Sequence, residues 1–170
     1  MTSKGLGINA HDVGLGATLN QHLLMVPSNQ RSYAWEGSHV ETLFEDLSTA
    51  IQVGEQPYFL GTLVLTQGTG DRLEVADGQQ RLATTSILIA AIRDYLETLG
   101  SAEKKAALKY TSDYLLIYDE NTGEDTPRLQ LNYEDNLFFV NNILSSTQDN
   151  QRAKIDRKLH RINGYTMRLR

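Results

Sequence analysis

Leu73-Glu74-Val75-Ala76-Asp77-Gly78-Gln79-Gln80-Arg81-Leu82 decides how the rest of the chain is read. An apolar run enters Asp-Gly, and three polar side chains follow as a long apolar helix begins. Gly78 takes backbone angles that a residue with a Cβ resists, so the stretch reads as a sharp strand-to-helix turn. The first N–H groups of the helix have no intrahelical partners, and its dipole adds partial positive charge there. Two amides and a guanidinium at such an end suit an anion or a phosphate. An ordinary helix start, with Asp77 as cap and Gln79, Gln80 and Arg81 solvated, accounts for the same residues.

Outward from this turn, residues 57–66 are β-rich and read as a largely buried strand. A turn at 67–71 and a strand over 72–76 complete a hairpin that delivers Asp77 to its end. After Arg81 the chain is apolar on most helical faces up to Gly100, which predicts a central, covered helix. Upstream, a short helix from Leu15 leads into the strand Leu24-Met25-Val26, stopped by Pro27. Residues 27–35 form an irregular loop with a second Gln-Arg pair, Gln30-Arg31, followed by Tyr33 and the only tryptophan, Trp35. Ser38-His39-Val40-Glu41 fits a capping box. The helix it opens carries Val40, Leu43, Phe44, Leu47, Ala50 and Ile51 as one apolar stripe and ends at Gly54.

Downstream, 102–118 reads as a helix, 121–127 as a loop, 128–132 as a short strand and 135–144 as a helix. If the strands carrying the two Gln-Arg elements lie side by side, Arg31 and Arg81 converge on one cleft. In that loop, core-edge packing of Tyr33 and Trp35 with Arg31 stacked on them competes with a binding role.

Composition narrows the chemistry. The chain has 170 residues, no cysteine and a net charge of −5, which excludes disulfides, thiolate metal sites and cysteine nucleophiles. Residues 151–170 hold seven Lys/Arg against Asp156, a net +6, and residues 1–150 hold nine basic against twenty acidic residues, a net −11. The acidic body does not suit a nucleic-acid clamp; the basic tail, read as a helix over 146–170, either touches phosphates or is a solvated face. Residues 1–14 read as a loose leader without a signal-peptide pattern. No apolar run approaches membrane-spanning length, so a cytoplasmic protein is expected. His11, His22, His39 and His160 are scattered without metal-ligand spacing, and no P-loop occurs.

Three stretches together resemble a known family: Val26-Pro27-Ser28-Asn29-Gln30-Arg31-Ser32-Tyr33-Ala34-Trp35, Tyr58-Phe59-Leu60-Gly61-Thr62-Leu63-Val64-Leu65 and Asp77-Gly78-Gln79-Gln80-Arg81-Leu82. Their order and spacing are similar to the N-terminal DGQQR domain of GmrSD-type, modification-dependent restriction endonucleases, over residues 15–145. The resemblance implies an α/β (α+β) chain with a ParB/sulfiredoxin-like fold, a small mixed sheet surrounded by helices, with the start of a helical C-terminal region. It implies a nucleotide-binding, NTP-hydrolysing regulatory domain coupled to restriction of modified phage DNA. A nuclease domain in the same or a partner chain is expected; nothing here looks like that nuclease. A homodimer is left open.

By resemblance, Asp77, Gln79, Gln80 and Arg81 form the catalytic motif with Gly78 as its turn, and Gln30, Arg31, Tyr33 and Trp35 line the same nucleotide pocket. Ala83 stands where threonine is commoner in the family. Asp77 suits Mg²⁺, held directly or through water, or a general base. Gln79 or Gln80 suits orientation of a water, and Tyr33 or Trp35 suits stacking on a base. The alternative reading is a non-catalytic module that senses nucleotide or DNA and switches an attached nuclease.

Overall fold

The structure is a computed structural model and describes residues 9–54, 58–149, 152, 160–162 and 165–167. The short helix α1, Leu15–Gln21, enters strand β1, Leu23–Met25, and the loop after Pro27 leads to helix α2, Gly37–Val53. Strands β2, Val64–Gln67, and β3, Arg72–Asp77, are the expected hairpin, and helix α3, Gln79–Glu97, starts directly after Gly78. Helix α4, Ser101–Tyr110, widens into one π-type turn, Thr111–Leu115. Strands β4, Leu116–Asp119, and β5, Glu124–Pro127, form a second hairpin. Strand β6, Leu129–Gln130, precedes helix α5, Tyr133–Phe138, which continues as a wide turn over Phe139–Leu144. The chain is thus a mixed α/β fold of the α+β kind.

The main sheet has the order β2-β3-β1-β6. Strand β1 is parallel to β3, with Leu24 opposite Leu73, and parallel to β6, with Leu24 opposite Leu129. Three strands therefore end at the same edge, and the segments leaving them meet there. Ligand sites of open α/β sheets form at such carboxyl ends. Leu19, Leu24, Val75, Leu82, Leu115, Leu129, Phe139 and Leu144 make one core that joins the sheet to α1, α3 and the two wide turns.

Several expectations need correction. Strand β2 begins at Val64, because Gly61 is left-handed (φ 103°) and the segment before Val64 runs over the start of α3 instead of pairing. Glu36, not Ser38, precedes α2, and its N–H donates to Nδ1 of His39 at 3.2 Å. Of the α2 stripe only Leu43 is buried, while Phe44 and Ile51 are exposed. Helix α3 is covered over its first half; Tyr95 and Leu99 near its end face solvent. The helix expected to reach residue 118 stops at Leu115, since Leu116-Ile117-Tyr118 pairs with the segment expected to be a loop.

In the basic tail, where a helix is expected, the described residues are antiparallel strands β7, His160–Ile162, and β8, Tyr165–Met167. Residues 146–149 and 152 are turn and irregular rather than helix, and the rest of the expected helix, with most of the 1–14 leader, lies outside the described residues. No described helix is long and apolar enough to cross a membrane.

Candidate functional site

Gly78 occupies the turn between β3 and α3 with φ 93°, a left-handed conformation that favours glycine. A Cβ there would lie 2.2 Å from Cδ2 of Leu63, so the position is closed to side chains as well as strained. No side chain caps α3. Asp77, expected as a possible cap, is 69% exposed and sits 3.6 Å from the Arg81 guanidinium. The helix start therefore keeps its unpaired N–H groups.

The four polar residues of the motif separate into different tasks. Gln80 is buried with both ends of its amide engaged: its Oε1 accepts from the Ala34 N–H at 2.8 Å and its Nε2 donates to the Ser32 carbonyl at 3.3 Å. It clamps the loop after β1. Gln30 makes the return contact, donating from Nε2 to the Ala76 carbonyl at 3.3 Å. Arg81 lies over Gly61, donates to the Thr62 carbonyl and faces Asp77. Gln79 is 91% buried, and its Oε1 has no hydrogen-bond partner.

Gln79 lines a small cavity with Val26, Arg31, Tyr33, Ala83 and Asp135. Its free space is about 10 Å³, close to the least that holds one water. Arg31 lines it from the mouth and has no hydrogen-bond or ion-pair partner among the described residues. Arg31 and Asn132 also line a wider, shallower groove outside it, with Ser28, Gln30, Ser32, Tyr133 and Glu134. Arg31 lines the cavity, and Arg81 is not among its lining residues. The bare backbone of Gly61 gives the Arg81 guanidinium its seat, where a Cβ would collide with it.

Trp35 is also absent from the cavity; its ring stacks on His39 with centroids 6.0 Å apart and planes at 21°. Tyr33 does line it. Its hydroxyl is 2.9 Å from Oγ1 of Thr84, and Thr84 donates to the Gln80 carbonyl at 2.8 Å. Burial pushes the Tyr33 hydroxyl pKa up, partly offset by the bond to Thr84.

The turn after β6 supplies residues that sequence reasoning missed. Oδ1 of Asn132 accepts from the Asp135 N–H at 3.1 Å and caps α5, while Nδ2 reaches back to the Gln30 carbonyl at 3.3 Å. Oδ2 of Asp135 accepts from the Tyr33 N–H at 2.6 Å. A signal was present: strand 128–132 followed by Asn132-x-x-Asp135 is an N-cap pattern, a second strand-to-helix turn beside Asp77–Arg81.

The sequence model of a family described as "GmrSD restriction endonuclease, N-terminal domain" matches residues 15–167. The chain belongs to this GmrSD family. Membership makes it part of a restriction (defence) protein, and the matched span runs from the start of α1 into the basic tail. No curated protein matches the chain.

In this GmrSD domain Asp135 is a buried carboxyl whose pKa is raised, chiefly by burial, with the Tyr33 N–H pulling it back and Glu134 adding to the rise. A carboxyl whose folded pKa exceeds its unfolded value binds more protons in the folded state. Stability then falls as pH rises from the unfolded value, about 3.9, through the folded one. Asp135→Asn should remove that loss. Urea titrations should show the variant gaining stability relative to wild type between pH 3.5 and 7, with the difference closing at the acid end. A constant difference across this range would contradict the assignment.

Proposed function

We propose that the edge formed by β1, β3 and β6 binds the phosphates of a nucleoside triphosphate and hydrolyses it, within a modification-dependent restriction protein. The observation that carries this reading is the buried, unpartnered Oε1 of Gln79 in a water-sized cavity at an uncapped helix start. A buried acceptor left unpaired costs roughly 1–3 kcal/mol, so its retention points to a donor that arrives with the ligand or as the reacting water. The unpaired N–H groups of α3 and the unpartnered Arg31 supply positive charge to a terminal phosphate at the cavity mouth.

In this reading Gln79 accepts a hydrogen bond from a water in the cavity and aims its oxygen at the terminal phosphorus. The oxygen–phosphorus bond forms as the bond to the bridging oxygen breaks, and that electron pair leaves with the nucleoside diphosphate. Asp135, lining the same cavity, takes the water's proton, the role expected of Asp77. Burial raises its pKa and so makes it a stronger base than a free carboxylate. Arg31 offsets charge on the phosphoryl oxygens. Gln80, Gln30 and Asn132 fix the loop that carries Arg31.

A divalent cation such as Mg²⁺ fits the donor chemistry narrowly. Among the described residues no three potential metal-ligating side chains cluster. Asp77 offers an exposed carboxylate beside the start of α3, enough for a cation that keeps most of its waters and takes other oxygens from the phosphates. When bound it would neutralise phosphate charge. Arg81 holds the segment around Thr62 against the helix start and orients Asp77.

Arg31→Ala tests the phosphate contact. It should weaken binding of a non-hydrolysable triphosphate by about tenfold or more, since a charge-assisted hydrogen bond contributes roughly 1.5–3 kcal/mol. Calorimetric titration in Mg²⁺ reads this. Unchanged affinity in a folded variant would remove Arg31 from the site.

A further inference from the structure

The inner cavity has room for little more than a water, so the rest of a nucleotide must lie in the outer groove. That groove shares Arg31 and Asn132 with the cavity and is about 310 Å³ in free space. Arg31 lines both the groove and the cavity, and the groove also holds Tyr133 and the Glu134 carboxylate, which accepts from the Ser32 hydroxyl at 2.7 Å. A polyphosphate is drawn to the arginine and repelled by the carboxylate. The sugar and base are thereby directed towards Tyr133.

Tyr133 is the first residue of α5 and is 90% exposed, the most exposed large hydrophobic side chain among the described residues. It lines the groove and belongs to neither the core nor the layer packed against it. Its neighbours in the same turn, Asn132 and Asp135, point inward and are hydrogen-bonded. One helical turn thus presents polar groups to the cavity and an uncovered phenol ring to the groove. The aromatic residues expected for stacking are occupied elsewhere, Trp35 on His39 and Tyr33 on Thr84.

We infer that Tyr133 is the platform on which the nucleobase of the bound triphosphate stacks. This rests on the nucleotide reading above and deepens it by assigning the base end of the site. Stacking on an exposed ring uses a face that every base has, so discrimination among bases is loose.

The test compares binding of ATP, GTP, UTP, CTP and inorganic triphosphate in Mg²⁺ to the whole chain and to Tyr133→Ala and Tyr133→Trp. Wild type should bind every nucleotide more tightly than inorganic triphosphate. Tyr133→Ala should lose about tenfold for each nucleotide, in the range set by base–aromatic stacking, keep the inorganic triphosphate affinity and keep its melting temperature. Tyr133→Trp should restore nucleotide binding. Equal nucleotide affinity in wild type and Tyr133→Ala would place the base elsewhere and overturn the inference while leaving the phosphate site intact. An equal loss for inorganic triphosphate would mean that Tyr133 acts by shaping the turn, which also overturns it. Failure of wild type to bind any of these probes would overturn the nucleotide reading itself, and the base platform with it.

Discussion

Arg93→Met should lower the stability of the domain by about 3–5 kcal/mol, the range for removing one partner of a buried charged network. Arg93 is fully buried. Its Nη1 donates to the Leu144 carbonyl, and its Nη2 donates to the carbonyls of Ile143 at 2.9 Å and Ser145 at 3.1 Å. Its Nε and Nη2 also bind Oδ1 of Asp94 at 2.9 and 2.7 Å, and Oδ2 of Asp94 holds Arg152 at 2.7 Å. The guanidinium therefore satisfies the carbonyls at the end of the wide turn after α5 and ties that end to α3. Methionine fills similar space but leaves those carbonyls buried and unpaired. At roughly 2–4 °C per kcal/mol for a chain of this size, the melting temperature should fall by about 10 °C. Thermal unfolding followed by circular dichroism measures it; a fall within the ±0.5 kcal/mol usual for surface changes would contradict the role. The link matters for the site because α3 begins with Gln79 and α5 begins beside Asn132 and Asp135.

Gln79→Leu should act in the opposite sense on stability and reduce turnover sharply. Leucine removes a buried oxygen without a partner, so the variant should unfold at the same or a higher temperature than wild type. Without the acceptor that aims the water, kcat should fall about 100-fold, the lower end for a positioned group acting on proton transfer. The apparent KM should change little, because Arg31 and the helix start still hold the phosphates. A stabilised but inactive variant is the pattern of a residue kept for function at a cost in stability. Unchanged kcat, or a marked loss of stability, would show that Gln79 is a packing residue.

How much of this was legible in sequence depends on how local each cause is. The strand–Gly78–helix turn was readable because one left-handed glycine and a change of apolar period lie within ten residues. That the strands carrying the two Gln-Arg elements could lie side by side was readable from the matching elements, and β1 does pair with β3; that the pairing is parallel was not. The seat of the Arg81 guanidinium was not readable, since it depends on Gly61, twenty residues before Arg81, carrying no side chain. The difference between Gln79 and Gln80 was equally hidden. Adjacent helical residues point about 100° apart, and only the position of the loop at Ser32 and Ala34 decides which amide is occupied. Arg93 was invisible within an apolar helix because its partners are backbone carbonyls about fifty residues away. The family model matching residues 15–167 agrees with the resemblance carried by the three motifs.

Phosphate release by the wild-type chain, measured with Mg²⁺ across the four nucleoside triphosphates beside calorimetric binding of the same nucleotides, tests the central claim most directly. The account predicts saturable release of one phosphate per triphosphate, with nucleoside diphosphate as the other product. Tight binding with no release above the protein-free rate would contradict hydrolysis and make the domain a nucleotide-sensing switch.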